Sequence, residues 1–280
     1  MRVMLTLAAS LLATAAAAQE PPMVLARDAT TRPLESRPTP RAVASFRDVL
    51  RVAWPDLGTD GRAAEFAGAL AAPDAGEDSP PGAAEIDISR GSMPTFLTVS
   101  EGERDHVAML LGDVLVVAQV APEFHPAGAL MVRTDPGGAP SLTQMLMLGE
   151  GRPGVLVLNS HHNSQESFEQ YLLAAPLQGA LRQVFQTPIL YSVQTYERGC
   201  EPRRLEQRLL PLTTRPPERD GYAEVALTVR VGRICVQRNR PRTVSTQFHY
   251  ARLRWDAQQA RYLGGMVALE RQNRRLMGLE

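Results

Sequence analysis

The chain has 280 residues, 44% of them hydrophobic and 21% charged, which is enough for one large domain or two small ones and excludes disorder as the global state. Its 30 basic and 30 acidic residues balance, which excludes a uniformly basic nucleic-acid protein and an acidic tail protein. Every basic residue is arginine, so Schiff-base, Ser-Lys and phosphate-loop lysine chemistry are excluded together.

The N-terminus carries one positive charge at Arg2, an apolar stretch from Val3 through Ala18, and then Gln19, Glu20, Pro21 and Pro22. The small residues Ala16, Ala17 and Ala18 ahead of this polar segment predict a secretory signal over 1–18, cleaved after Ala18. A spanning helix needs about 20 unbroken apolar residues, and no later segment offers them. The expected address is therefore periplasmic or secreted, with no transmembrane anchor after cleavage. In an oxidising compartment two cysteines pair, so Cys200 is expected to bond Cys235.

Residues 19–40, with five prolines and scattered arginines, predict an extended leader. Residues 41–84 read as a helical segment with an acidic loop. Val43, Phe46, Leu50 and Trp54 share one helical face, Pro55 stops that helix, and an alanine-rich second helix is expected over Arg62 to Leu70. The acidic loop runs from Pro73 to Gly82.

From 85 to 280 the pattern becomes short apolar runs between turn signals, which predicts an antiparallel β domain with a C-terminal helix over Met266 to Leu276. Expected strands are Phe96 to Val99, Val107 to Leu111, Val114 to Val120, Ala129 to Arg133, Leu142 to Leu148, Val155 to Leu158 and Phe168 to Ala174. Leu181 to Phe185, Ile189 to Tyr196, Tyr222 to Val236, Thr243 to Trp255 and Arg261 to Leu263 follow. A propeller would need about 40 to 45 residues per blade, and the 158 residues from 106 to 263 fall short of four blades. The fold class is thus mainly β (α+β): an antiparallel meander, sandwich or open barrel with a short helical segment at each end.

Two segments invite a metal reading. His161 and His162, with Glu166 nearby, follow the apolar Val155 to Leu158, and neutral imidazole suits zinc or copper. Adjacent strand residues point to opposite faces, so chelation by both would need a loop. The preferred expectation is a turn in which the Asn, Ser and Gln side chains between Asn159 and Gln165 bond their own backbone. Asp56, Gly58, Asp60 and Gly61 match the opening of a calcium loop, but the required acid falls on Ala67. The preferred reading there is a turn with Thr59 or Asp60 capping the next helix. No cofactor is expected. No G-x-S-x-G elbow or helical H-E-x-x-H is present, and His106, His125 and His249 read as structural.

Charge placement is more informative. Between Val225 and Trp255 lie Arg230, Arg233, Arg238, Arg240, Arg242, Arg252 and Arg254, and no acid. If Val225, Leu227, Val229 and Val231 face a core, period two turns Arg230 outward, and likewise Arg252 and Arg254 beside an inward Leu253. Arg238, Arg240 and Arg242 are expected at the connecting loop. Guanidinium forks suit carboxylate or phosphate. The predicted anion- or partner-binding set is Arg230, Arg238, Arg240, Arg242, Arg252 and Arg254, for an anionic envelope component or an acidic protein rather than nucleic acid. The sequence thus points to a non-catalytic envelope or secreted binding protein. The alternatives are a metal-dependent hydrolase using His161, His162 and Glu166, or a structural subunit of an envelope assembly. Neutrality is a sum of opposites: residues 56–87 hold eight acids and one arginine, and residues 198–275 hold 17 arginines and seven acids.

Overall fold

A computed structural model describes residues 27–28, 33–70, 86–88, 94–132, 139–162, 166–197, 200–215, 221–237 and 240–276. The expected signal segment, the acidic loop 73–82 and Arg238 lie outside these residues. The fold is mainly antiparallel β with a short helix near each end.

The first ordered helix, α1 (Phe46–Leu50), begins at an N-cap. Ser45 and Asp48 form a reciprocal capping box: the Asp48 N–H donates to Ser45 Oγ at 3.2 Å, and the Ser45 N–H donates to Asp48 Oδ2 at 2.8 Å. Phe46, Leu50 and Trp54 are buried as the spacing predicts, but Val43 is 54% exposed because it precedes the helix, in a bend before the cap. The second helix does not form. Arg62 to Leu70 is extended, with β2 (Arg62–Ala63) paired to β4 (Ile86–Asp87) and β3 (Ala69–Leu70) lying parallel beside a later strand. Contacts from earlier in the chain hold it extended: the Asp56 carboxylate accepts the N–H groups of Ala64 and Glu65, and Ala53 O accepts that of Ala67. The Ala67 donor is thereby withheld from a helical ladder, in which it would bond Ala63 O.

One sheet has the order β1-β5-β6-β7-β8-β3. Its strands are β1 (Arg27–Asp28), β5 (Thr95–Glu101), β6 (Arg104–Leu111), β7 (Val114–Ala121), β8 (His125–Met131) and β3. The β6 to β7 turn is tight, with Gly112 at φ +56, a conformation open to glycine. β6 and β7 are buried on both faces. On one side Val107, Met109 and Val116 pack with Phe46, Leu50 and Trp54. On the other, Ala108, Leu110, Leu115 and Val117 pack with the second sheet through Leu142, Val155, Val157 and Leu181. This sheet is the middle layer of the molecule.

The second sheet runs from β9 (Ala139–Met147), β10 (Pro153–His162) and β11 (Glu166–Leu177) to β13 (Leu190–Glu197), β14 (Cys200–Leu209), β16 (Glu224–Gln237), β17 (Arg240–Asp256) and β18 (Arg261–Leu263). β12 (Ala180–Gln186) branches from β11 and β15 (Thr213–Arg215) from β16. β14 and β15 were not expected from the sequence. Only Leu205 and Leu209 mark β14 as a half-buried strand, alternating with Arg204, Glu206 and Arg208. The inner face of this sheet packs Val225, Leu227, Val229, Val231 and Leu253 with Met266 and Leu269, the latter on α2 (Val267–Leu276). Gln207 donates to Asn273 Oδ1 at 2.6 Å, and Asn273 donates to Ile189 O at 2.8 Å, so buried amides on α2 are paired as burial demands. Among the described residues, no helix is long and apolar enough to cross a membrane.

Cys200 and Cys235 are disulfide-bonded, with Cα atoms 5.5 Å apart. The bond joins the start of β14 to the end of β16. Closing a loop of 35 residues stabilises by about 4 kcal/mol on the chain-entropy estimate. The double substitution Cys200→Ser and Cys235→Ser is expected to lower the unfolding free energy by about 2–4 kcal/mol in urea titration. Thiol titration of the denatured, unreduced protein should find no free thiol.

Candidate anion-binding face

β16 and β17 pair antiparallel over most of their length, and the register decides which arginines meet. Ala226 lies opposite Arg252, Thr228 opposite Tyr250, Arg230 opposite Phe248 and Gly232 opposite Thr246. Cross-strand partners share a face, so these residues form the outer side of the sheet, away from the buried Val225, Leu227 and Val229. The ladder continues to β14, where Arg208 lies opposite Arg230 and Glu206 opposite Gly232, with Arg204 one step further on that face. The outer face therefore carries Arg204, Arg208, Arg230, Arg252 and Arg254 against Glu206 and Glu224.

Two aromatic rings lie among them. Phe248 is 45% and Tyr250 71% exposed, with centroids 6.3 Å apart and planes 26° from parallel. Glu224 sits beside both terminal arginines, 3.7 Å from Arg252 and 3.3 Å from Arg254. It lies one residue outside the acid-free stretch of the sequence. One carboxylate shared by two guanidinium groups leaves that end of the face positive, and both arginines keep much of their surface in water.

A β-bulge divides the predicted arginine set. The register shifts between Arg233 and Ile234, after which Thr243 lies opposite Ile234, Arg242 opposite Cys235 and Arg240 opposite Gln237. The extra residue reverses the alternation on β17. Arg240 and Arg242 are therefore within the strand rather than in the connecting loop, on the side opposite Arg230, Arg252 and Arg254. Arg204 and Arg208 replace them. Sequence reasoning missed these two because it missed β14, and missed Phe248 and Tyr250 because aromatic residues in a strand read as core.

The metal-ligand candidates are arranged differently. Asn159 to His162 continue β10, with His161 opposite Phe168 and His162 opposite Ser167, while Asn163, Ser164 and Gln165 of the expected turn lie outside the described residues. Successive positions on a strand send the two imidazoles to opposite faces. His161 stacks on Phe168 at 5.0 Å, with planes 11° apart, and His162 is exposed. The Glu166 backbone pairs with Val193. Among the described residues, no group of three His, Cys, Asp or Glu side chains is placed to hold a metal ion. In the segment read as a calcium-loop opening, Asp56 accepts two backbone N–H groups and Asp60 accepts that of Arg62 at 3.2 Å. Asp60 thus fixes a turn into a strand, not the start of a helix.

The remaining histidines are structural in their contacts. His249 Nε2 lies 3.2 Å from Gln272 Oε1 on α2, and His125 lies 3.2 Å from Glu123 at the surface. His106 is buried, its Nε2 has no hydrogen-bond partner, and burial pushes its pKa below the usual histidine range. Its neighbour Asp105 accepts from Arg41, and from Thr39 and Ser100 at 2.7 Å each. Burial pushes the Asp105 carboxyl up, but these hydrogen bonds outweigh it and hold the group below the usual carboxylate range. A groove of about 370 Å³ runs between Phe185, Ile189 and Tyr191 and the α2 residues Glu270, Asn273 and Arg274.

No protein-family model, curated protein or solved structure matches the chain.

Asp105 and His106 make stability fall with acid. A histidine held low when folded contributes stability that diminishes as pH drops below its unfolded value of about 6.5, and a carboxyl held low loses its contribution below about 4. Urea unfolding across pH should show both losses. His106→Leu is expected to flatten the first and Asp105→Asn the second.

Proposed function

We propose that the chain is an exported, non-catalytic binding protein that holds an anionic ligand or acidic partner on the outer face of β14, β16 and β17. The observation that carries this reading is the concentration of Arg204, Arg208, Arg230, Arg252 and Arg254 around the exposed rings of Phe248 and Tyr250, against Glu206 and Glu224 among the described residues on the outer side of these three strands. Guanidinium forks on a fixed sheet bind carboxylate or phosphate oxygens in pairs, and exposed aromatic rings add contact area at low entropic cost. Export is supported by the N-terminal sequence pattern and by the Cys200–Cys235 bond, which suits an oxidising compartment.

Poly-L-glutamate is a suitable probe of the face. Arg252→Glu with Arg254→Glu is expected to weaken its binding about tenfold or more, and added salt should weaken binding to the original protein. Arg182→Glu, on β12, is expected to leave the affinity unchanged. Equal affinity of the double variant and the original protein, at unchanged thermal stability, would reject the face. The export part has its own readout: N-terminal sequencing of protein recovered from an expressing bacterial host is expected to start at Gln19 in the periplasm or medium.

A further inference from the structure

We infer that the acidic partner is an extended polypeptide segment that docks as an added strand along the free edge of β17. The inference rests on the proposed anion-binding face and specifies what occupies it.

β17 is 17 residues long, and β18 pairs only with Arg254, Trp255 and Asp256. Among the described residues, no strand lies along the other side of Arg240 to Leu253. Every residue from Arg240 to Phe248 is exposed, so the strand extends beyond the core with both faces in water. An edge of this kind presents a row of backbone donors and acceptors, and soluble proteins ordinarily blunt such edges with charge, proline or a β-bulge. Here charge and proline stand only at the ends, and the bulge at Val244 lies close to the first of them. Arg240, Pro241 and Arg242 mark one end, and Arg252 and Arg254 the other. The nine residues between, Thr243 to Ala251, contain no Asp, Glu, Arg, Pro or Gly and are rich in β-branched and aromatic types. They offer about 30 Å of pairing edge at the usual rise per residue.

Charge decides what can pair there. A second copy, antiparallel and centred on Gln247, would bring Arg240 and Arg242 of one copy alongside Arg252 and Arg254 of the other at both ends of the ladder, although the bulge keeps them on opposite faces. Four like charges gathered at each end oppose that pairing. A segment with an uncharged centre and acids at both ends meets no such conflict in either direction. Its backbone completes the ladder while its flanking carboxylates reach the arginines, which is strand addition with charge-set specificity. Phe248 and Tyr250 would pack beside its central side chains.

The test uses the full chain and a labelled peptide, Glu-Glu-Thr-Val-Thr-Val-Thr-Val-Thr-Val-Thr-Glu-Glu, beside a control in which alternate central residues are proline. The strand-forming peptide is expected to bind at least about tenfold tighter than the control, and to slow hydrogen exchange of backbone amides within Thr243 to Ala251 by at least about tenfold. Thr246→Pro and Gln247→Pro probe opposite edges of the strand, and the one that removes an outward donor should abolish the preference. If either variant fails to fold, the peptide comparison and exchange pattern still decide the matter. Equal binding of the two peptides, or binding without protection of this segment, overturns strand addition but leaves the charged face standing. Protection that rises with protein concentration alone, together with dimers in sedimentation, overturns the acidic occupant in favour of a second copy. Failure of both peptides and of poly-L-glutamate removes the face reading as well.

Discussion

The β16–β17 ladder is the constraint on which the rest of this molecule's surface depends. Thirteen register pairs run from Val225↔Leu253 to Gln237↔Arg240. The first half is held by burial, because Val225, Leu227, Val229 and Leu253 close the core shared with α2. The second half runs past the end of that core and is held by the ladder itself, by β14 alongside, and by the Cys200–Cys235 bond. Burial fixes which way the side chains face in the first half. The hydrogen-bond register carries that choice outward until the bulge reverses it.

Most of the architecture of both sheets was legible because the strands announce themselves through apolar runs separated by tight turns. The twelve expected strands all correspond to observed ones, with ends displaced by a few residues. β14 was illegible for a physical reason. A strand with one wet face needs only alternate apolar residues, and Leu205 and Leu209 flanking Gln207 are too sparse a signal when Gln207 is satisfied by an amide on α2. The segment from Arg62 to Leu70 failed in the opposite direction. Its alanines favour a helix, but Asp56 and Ala53 reach across from earlier in the chain to take its backbone donors, and tertiary context overrides propensity.

The face was half legible for the same reason. Period two placed Arg230, Arg252 and Arg254 together because the core-facing residues beside them are unmistakable. It could not place Arg240 and Arg242, since a single inserted residue in the ladder is invisible in composition and periodicity alike. Arg204 and Arg208 required β14, and Glu224 required the register that brings it beside Arg252 and Arg254. The paired histidines show the complementary lesson. Adjacency in sequence suggested a chelate, but the strand that contains both residues separates their side chains and gives His161 a ring partner in Phe168.

The disulfide bears on the mechanics of the overhang as well as on the free energy of unfolding. A hairpin that leaves its hydrophobic support behaves as a cantilever, stiff at the root and increasingly compliant toward the tip. Cys235 lies close to that tip, and its tether to Cys200 shortens the unsupported span without adding apolar surface. The direction in which the tip presents its arginines is thereby held to that of the sheet beneath. A reducing environment would release that tether. The molecule could then retain its folded core while its projecting arm lost the rigidity that holds its tip in line with the sheet.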